Sequence, residues 1–147
     1  MEAISPLMGE ILASGASVEL TTTGNSMKPM LLHRISKVRL ASPVDLKKGD
    51  IPLYCRDNGT YVLHRIVDCD GETFTLCGDA QWRLEPDIRR DQILAVVTHY
   101  CRRGRWISCS APGYRLYWKL WLLLRPLRRL VFGGARRIVR ALQKRRQ

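Results

Sequence analysis

A mainly β body, built as a coiled sheet or barrel, with a short N-terminal helix and a basic helical C-terminal tail, is the fold class this sequence predicts. Three observations predict it. Short alternating segments recur between turn signals such as Asp57-Asn58-Gly59 and Asp70-Gly71, and little of the body has helical periodicity. All 14 basic residues after position 99 stand without one acidic residue, whereas residues 1–99 carry 11 basic and 13 acidic side chains. The 147 residues suffice for one domain with a real core and are too few for two of ordinary size. The chain therefore divides into an N-terminal helix (1–16), a β domain (17–110) and a basic amphipathic tail (111–147).

The elements follow in order. Ser5 and Pro6 ahead of Leu7, Met8, Ile11 and Leu12, with Gly15 behind them, read as a capped amphipathic helix. Val18, Leu20 and Thr22 alternate with Glu19, Thr21 and Thr23 as a half-buried strand should. That strand runs into Gly24 and Ser26, and Met27 to Leu32 reads as a short helix that Ser26 would cap. Lys37 to Ala41 is a second strand. Ile51 to Arg56 is a third, with Pro52 confining it to an edge or making it begin there. Thr60 to Cys69 reads as the longest strand, followed by Glu72 to Cys77, a proline-containing loop, Gln92 to Cys101, and Arg105 to Cys109.

Within Thr60 to Cys69, period two puts Val62, His64 and Ile66 on one face. A histidine among aliphatics is commonly a satisfied core residue. Its titration range also makes it the natural general base for a serine hydroxyl near neutral pH. Asp79, at a Gly-Asp corner after the next strand, fits a turn carboxylate. It equally fits an acid that holds the far nitrogen of a histidine on the neighbouring strand. Ser26, His64 and Asp79 are thus a candidate nucleophile, base and acid.

Four ordered boxes carry a family resemblance. Gly24-Asn25-Ser26-Met27-Lys28-Pro29 is similar to the G-x-S-M-x-P nucleophile box of the serine peptidase superfamily that contains the signal peptidases and the LexA-like self-cleaving repressors. Lys48-Gly49-Asp50-Ile51 resembles its K-G-D-hydrophobic strand start, Val62-Leu63-His64-Arg65-Ile66-Val67 its H-R-[IV] box, and Leu76-Cys77-Gly78-Asp79 its G-D box. The likeness runs from about Val18 to Ser108.

The resemblance implies a signal-peptidase-type coiled β fold and peptide-bond cleavage by a serine endopeptidase. Histidine in the second box is similar to the endoplasmic-reticulum and archaeal signal peptidases, which implies Ser26 as nucleophile, His64 as base and Asp79 as acid. A second acid follows a few residues on in that branch, and Glu85 or Asp87 could take its place. Met27, Val18 and Leu20 could line a small apolar substrate subsite or belong to the ordinary core. Lys28, His33 and His99 are rival bases, the first two poorly placed by lying on the same short turn as Ser26. Gly24 has no hydroxyl to offer, so an oxyanion would rest on backbone N–H groups.

The chain also departs from that family. The residues before Ser26 are expected to hold neither a secretory signal, nor a membrane anchor, nor a DNA-binding domain. They contain no Ala-Gly or Cys-Gly bond for self-cleavage, and Cys77-Gly78 lies inside the sheet. Five cysteines without a C-x-x-C pair encode neither a zinc site nor a complete disulfide framework, so no metal or cofactor is expected and a cytoplasmic setting is.

In the tail, Trp118, Trp121 and nearby leucines offer an apolar face flanked by 11 basic residues from Arg115 to Arg146. That pattern fits an anionic membrane surface as a partner for residues 112–147, which would place the chain peripherally on the inner membrane surface. Packing of Tyr114 to Leu124 on the body is the competing reading. Nucleic acid is the weaker partner, because these aromatics are clustered with leucines. Two functions of other classes stand beside peptidase: a catalytically inactive peptide-binding relative, and a membrane- or nucleic-acid-binding module acting through the tail.

Overall fold

The computed structural model describes residues 4–127, with side chains from Leu7 onward; the basic helix expected over Ala135 to Arg146 lies outside the described residues. The body is mainly β. Helix α1 (Ile4–Ala13) precedes β1 (Val18–Thr21), β2 (Lys37–Ala41), β3 (Pro52–Cys55), β4 (Tyr61–Leu63), β5 (Arg65–Cys69), β6 (Thr73–Cys77) and β7 (Glu85–Arg89). A 3₁₀ turn leads into β8 (Ile93–Arg102), β9 (Arg105–Ser108) and helix α2 (Pro112–Leu123).

Six strands form one sheet in the order β1-β2-β8-β3-β4, with β9 also paired to β8, and β5-β6-β7 form a second. Every strand pair is antiparallel. Register shifts at Arg39/Leu40 and Leu53/Tyr54 interrupt the pairing of β8 with β2 and β3. Such bulges bend a strand and increase its twist, and here the larger sheet curls into a half-barrel. Its two terminal strands, β1 and β4, consequently face one cleft.

Three expectations need correction. Thr60 to Cys69 is not one strand: β4 ends at Leu63, His64 is the break, and β5 continues in the other sheet. Alternation survives the break, since Val62 and Ile66 both pack into the smaller core around Tyr54, Phe74 and Leu76. The longest strand is β8. Met27 to Leu32 forms successive turns instead of a helix, because Pro29 has no N–H and restricts Lys28 before it. The proline-containing loop includes strand β7, where Pro86 is accommodated because β7 is a sheet edge and its register shifts there.

The larger core joins both helices to the sheet. Met8 and Leu12 of α1 and Tyr114 of α2 pack with Met27, Met30, Leu31, Val38, Leu40 and Leu53. Trp118 is half-buried against that core and lies over Gly49, where a Cβ would meet its ring at 2.5 Å. Gly49 also has φ +99°, so both conformation and space require glycine there. Among the described residues no helix is long and apolar enough to cross a membrane.

Candidate active site

The Ser26 turn is held at several points. Thr22 donates its N–H to the Ser36 carbonyl and its hydroxyl to the same oxygen at 3.1 Å, while Ser36 Oγ accepts the Leu32 N–H at 2.9 Å. Gly24 N–H donates to His33 Nδ1 at 2.7 Å, so that rival base braces the turn. The Ser26 carbonyl accepts the Ala80 N–H at 2.7 Å, tying the turn to the corner after β6. Among the described residues, the amides of Asn25, Ser26 and Met27 have no protein acceptor.

His64 reaches this place because the chain changes sheets at it. Its ring is buried, 1% exposed, and Nε2 points toward the same corner: a Cβ on Gly78 would lie 2.7 Å from the Ser26 carbonyl oxygen and 3.1 Å from His64 Nε2. Those two atoms are therefore no further apart than the sum of the two distances. Ser26 and His64 both line a cleft of about 780 Å³. Leu20 and Thr21 of β1 form one wall, and Tyr61, Val62 and Leu63 of β4 form the other.

The far nitrogen of the ring is held by a different acid from the one expected. His64 Nδ1 lies 3.2 Å from Glu85 Oε1 and 3.2 Å from the Tyr54 hydroxyl. Tyr54 donates its single proton to Glu85 Oε2 at 2.7 Å. Its oxygen and the carboxylate can then only accept from the ring, which fixes the proton on Nδ1 and leaves Nε2 unprotonated toward the cleft. Arg56 closes the group with two hydrogen bonds to Glu85. Burial lowers the His64 pKa from its ordinary 6.5, with Glu85 acting in opposition. Burial would raise that of Glu85, but hydrogen bonds from Arg56 and Tyr54 and the nearby His64 carry it lower. Burial, then the bond to Glu85, pushes the Tyr54 phenol well up.

Asp79, expected behind His64, gives both carboxylate oxygens to Arg65, at 2.8 and 2.6 Å. Arg65 is fully buried, and it also donates to the Gly49 carbonyl and the Tyr114 hydroxyl. The reason is register: Arg65 pairs with Cys77, two residues before Asp79, and strand alternation turns Arg65 to the face opposite His64. Asp87 is exposed at the β7 bulge with φ +59° and points to solvent.

Of the expected subsite residues, Met27 and Leu20 line the cleft, whereas Val18 packs half-buried on the larger core. Lys28 is exposed at the cleft, and His99 sits on β8 beside Thr98, away from it. Tyr54 and Arg56 are the participants that sequence reading missed. Their signal was the β3 alternation opposite β4, which pairs Tyr54 with Val62, two residues before His64. All five cysteines are free thiols. Comparison of the chain with family models, with curated proteins and with solved structures gives no match.

Proposed function

We propose that the protein is a serine endopeptidase of the signal-peptidase-like type, with Ser26 as nucleophile, His64 as general base and Glu85 as the acid behind it. One observation carries the reading: a serine and a histidine from distant parts of the chain share one cleft, and the histidine's other nitrogen faces a carboxylate. A substrate peptide lies extended between β1 and β4, whose outer edges pair with no other strand among the described residues. His64 Nε2 takes the Ser26 Oγ proton as Oγ attacks the scissile carbonyl carbon. The tetrahedral oxyanion forms beside the free amides of the Ser26 turn. Protonated Nε2 passes its proton to the departing amine, leaving an acyl-Ser26 ester. Water, deprotonated by the same nitrogen, then attacks that ester, and Nε2 returns the proton to Ser26 Oγ as the C–Oγ bond breaks and the acid product leaves. Glu85 stabilises the imidazolium in both halves without taking the proton.

Labelling with a fluorophosphonate probe tests the proposal. Wild type is expected to label at Ser26 and the Ser26→Ala and His64→Ala variants are not. A folded wild type that stays unlabelled would instead favour a peptide-binding protein that uses the same cleft without chemistry.

A further inference from the structure

Helix α2 has two faces with different fates. Tyr114, Tyr117, Trp118 and Trp121 turn inward: Tyr114 meets Arg65, Trp118 covers Gly49, and Trp121 donates its indole N–H to the Asp79 carbonyl. The tryptophans expected on an outer apolar face are therefore used by the body. Leu116, Leu120, Leu123, Leu124 and Leu127 are 47–72% exposed instead. Spacings of four and three align Leu116, Leu120 and Leu123 along one stripe of α2, and Leu124 and Leu127 follow just beyond its end. Arg125 donates to the Trp82 carbonyl at 3.2 Å and so brings a second exposed apolar pair, Trp82 and Leu84, beside the helix end.

We infer that this leucine face of α2 docks on an anionic lipid surface, the helix lying in the plane of the interface. Charge selects the occupant. Arg115, Lys119 and Arg125 accompany the stripe, no acidic residue occurs after position 99, and eight further Arg and Lys follow Leu127 in the sequence. A second copy of the helix would bring the same positive charge to the contact, whereas a lipid surface bearing phosphate groups complements both the stripe and its cations. Among the described residues no helix is long and apolar enough to cross a bilayer, so the contact inferred for α2 is one in which it lies on the surface.

Sedimentation of the full-length protein with sucrose-loaded vesicles of phosphatidylcholine, with or without phosphatidylglycerol, tests this without reference to catalysis. Wild type is expected to sediment with the phosphatidylglycerol vesicles, less so at high salt. Leu120→Gln/Leu123→Gln, which leaves charge unchanged at two exposed positions, is expected to weaken binding at least about tenfold with its circular dichroism unaltered. Wild-type protein that stays in the supernatant would overturn the inference. So would a double variant that binds as well as wild type, which would place binding in the basic segment alone, or one that instead converts a wild-type dimer to monomer.

Discussion

His64 and Glu85 meet where the two sheets join, Nδ1 facing Oε1 at 3.2 Å, although 21 positions separate them in the chain. His64 is the residue between β4 and β5, and Glu85 begins β7, across β6 from it. Tyr54 and Arg56, both reaching from β3 and the residue after it, complete the carboxylate's hydrogen bonds. Those bonds hold the carboxylate in place.

That arrangement assigns different consequences to the two acids. Glu85→Gln keeps the shape but loses the charge that stabilises imidazolium, and the rate of fluorophosphonate labelling should fall by about 10²–10⁴. Its melting temperature should change little. Asp79→Asn should show the reverse order of effects, with a lower melting temperature as the main loss. Equal rate losses in two equally stable variants would return the acid's role to Asp79.

The Arg65–Asp79 pair is buried on both sides, so removing one partner strands the other's charge. Arg65→Met should cost about 3–5 kcal/mol of unfolding free energy in urea titrations, whereas Arg65→Met/Asp79→Leu should recover much of it. Because Arg65 also holds Gly49 and Tyr114, the single variant should loosen α2 as well, visible as faster amide exchange around Tyr114. Additive losses in the double variant would contradict this coupling.

Much of the frame is legible in the residues themselves. Alternation marks β1 and β2, Pro52 does begin β3, and Asn58-Gly59 and Asp70-Gly71 do lie at turns between strands. The passage of the chain between sheets at His64 leaves no trace in sequence, because period two continues through it. The residues name Asp79 as the acid and offer Glu85 and Asp87 only as alternatives for a second one, since Pro86 hides an edge strand whose register decides that Glu85 turns in and Asp87 turns out. The two faces of α2 are likewise ambiguous in composition. Trp and Leu are both apolar, and only tertiary contacts decide which set is covered.

The proposed reaction at Ser26 would need neutral His64, and burial pulls its pKa below the ordinary 6.5 while Glu85 opposes the shift. The labelling rate should therefore rise along an acid limb centred below pH 6.5 and be level through neutrality. Glu85→Gln removes the opposing charge, so its limb should move to still lower pH as its plateau falls. Stability carries the same sign. The unfolded chain takes up the His64 proton first as pH drops, so this contribution is complete above pH 6.5 and is lost from there down to the folded pKa. His64→Gln should lack that part of the acid destabilisation in thermal melts compared across the window.

Gly78 lies against both Ser26 and His64, the nucleophile and base of the proposed reaction. A methyl group there would lie 2.7 Å from the Ser26 carbonyl oxygen and 3.1 Å from His64 Nε2, and the first of these is backbone that cannot swing aside. Gly78→Ala must separate the Ser26 turn from the corner that Ala80 ties to it, or push the imidazole off its Glu85 contact. A displacement on the order of 1 Å costs about 10² in rate when reacting groups are held for attack. The variant should thus label about a hundredfold more slowly while keeping its sheet signature in circular dichroism. A Gly78→Ala protein that labels at the wild-type rate would mean that Ser26 and His64 do not react across this corner.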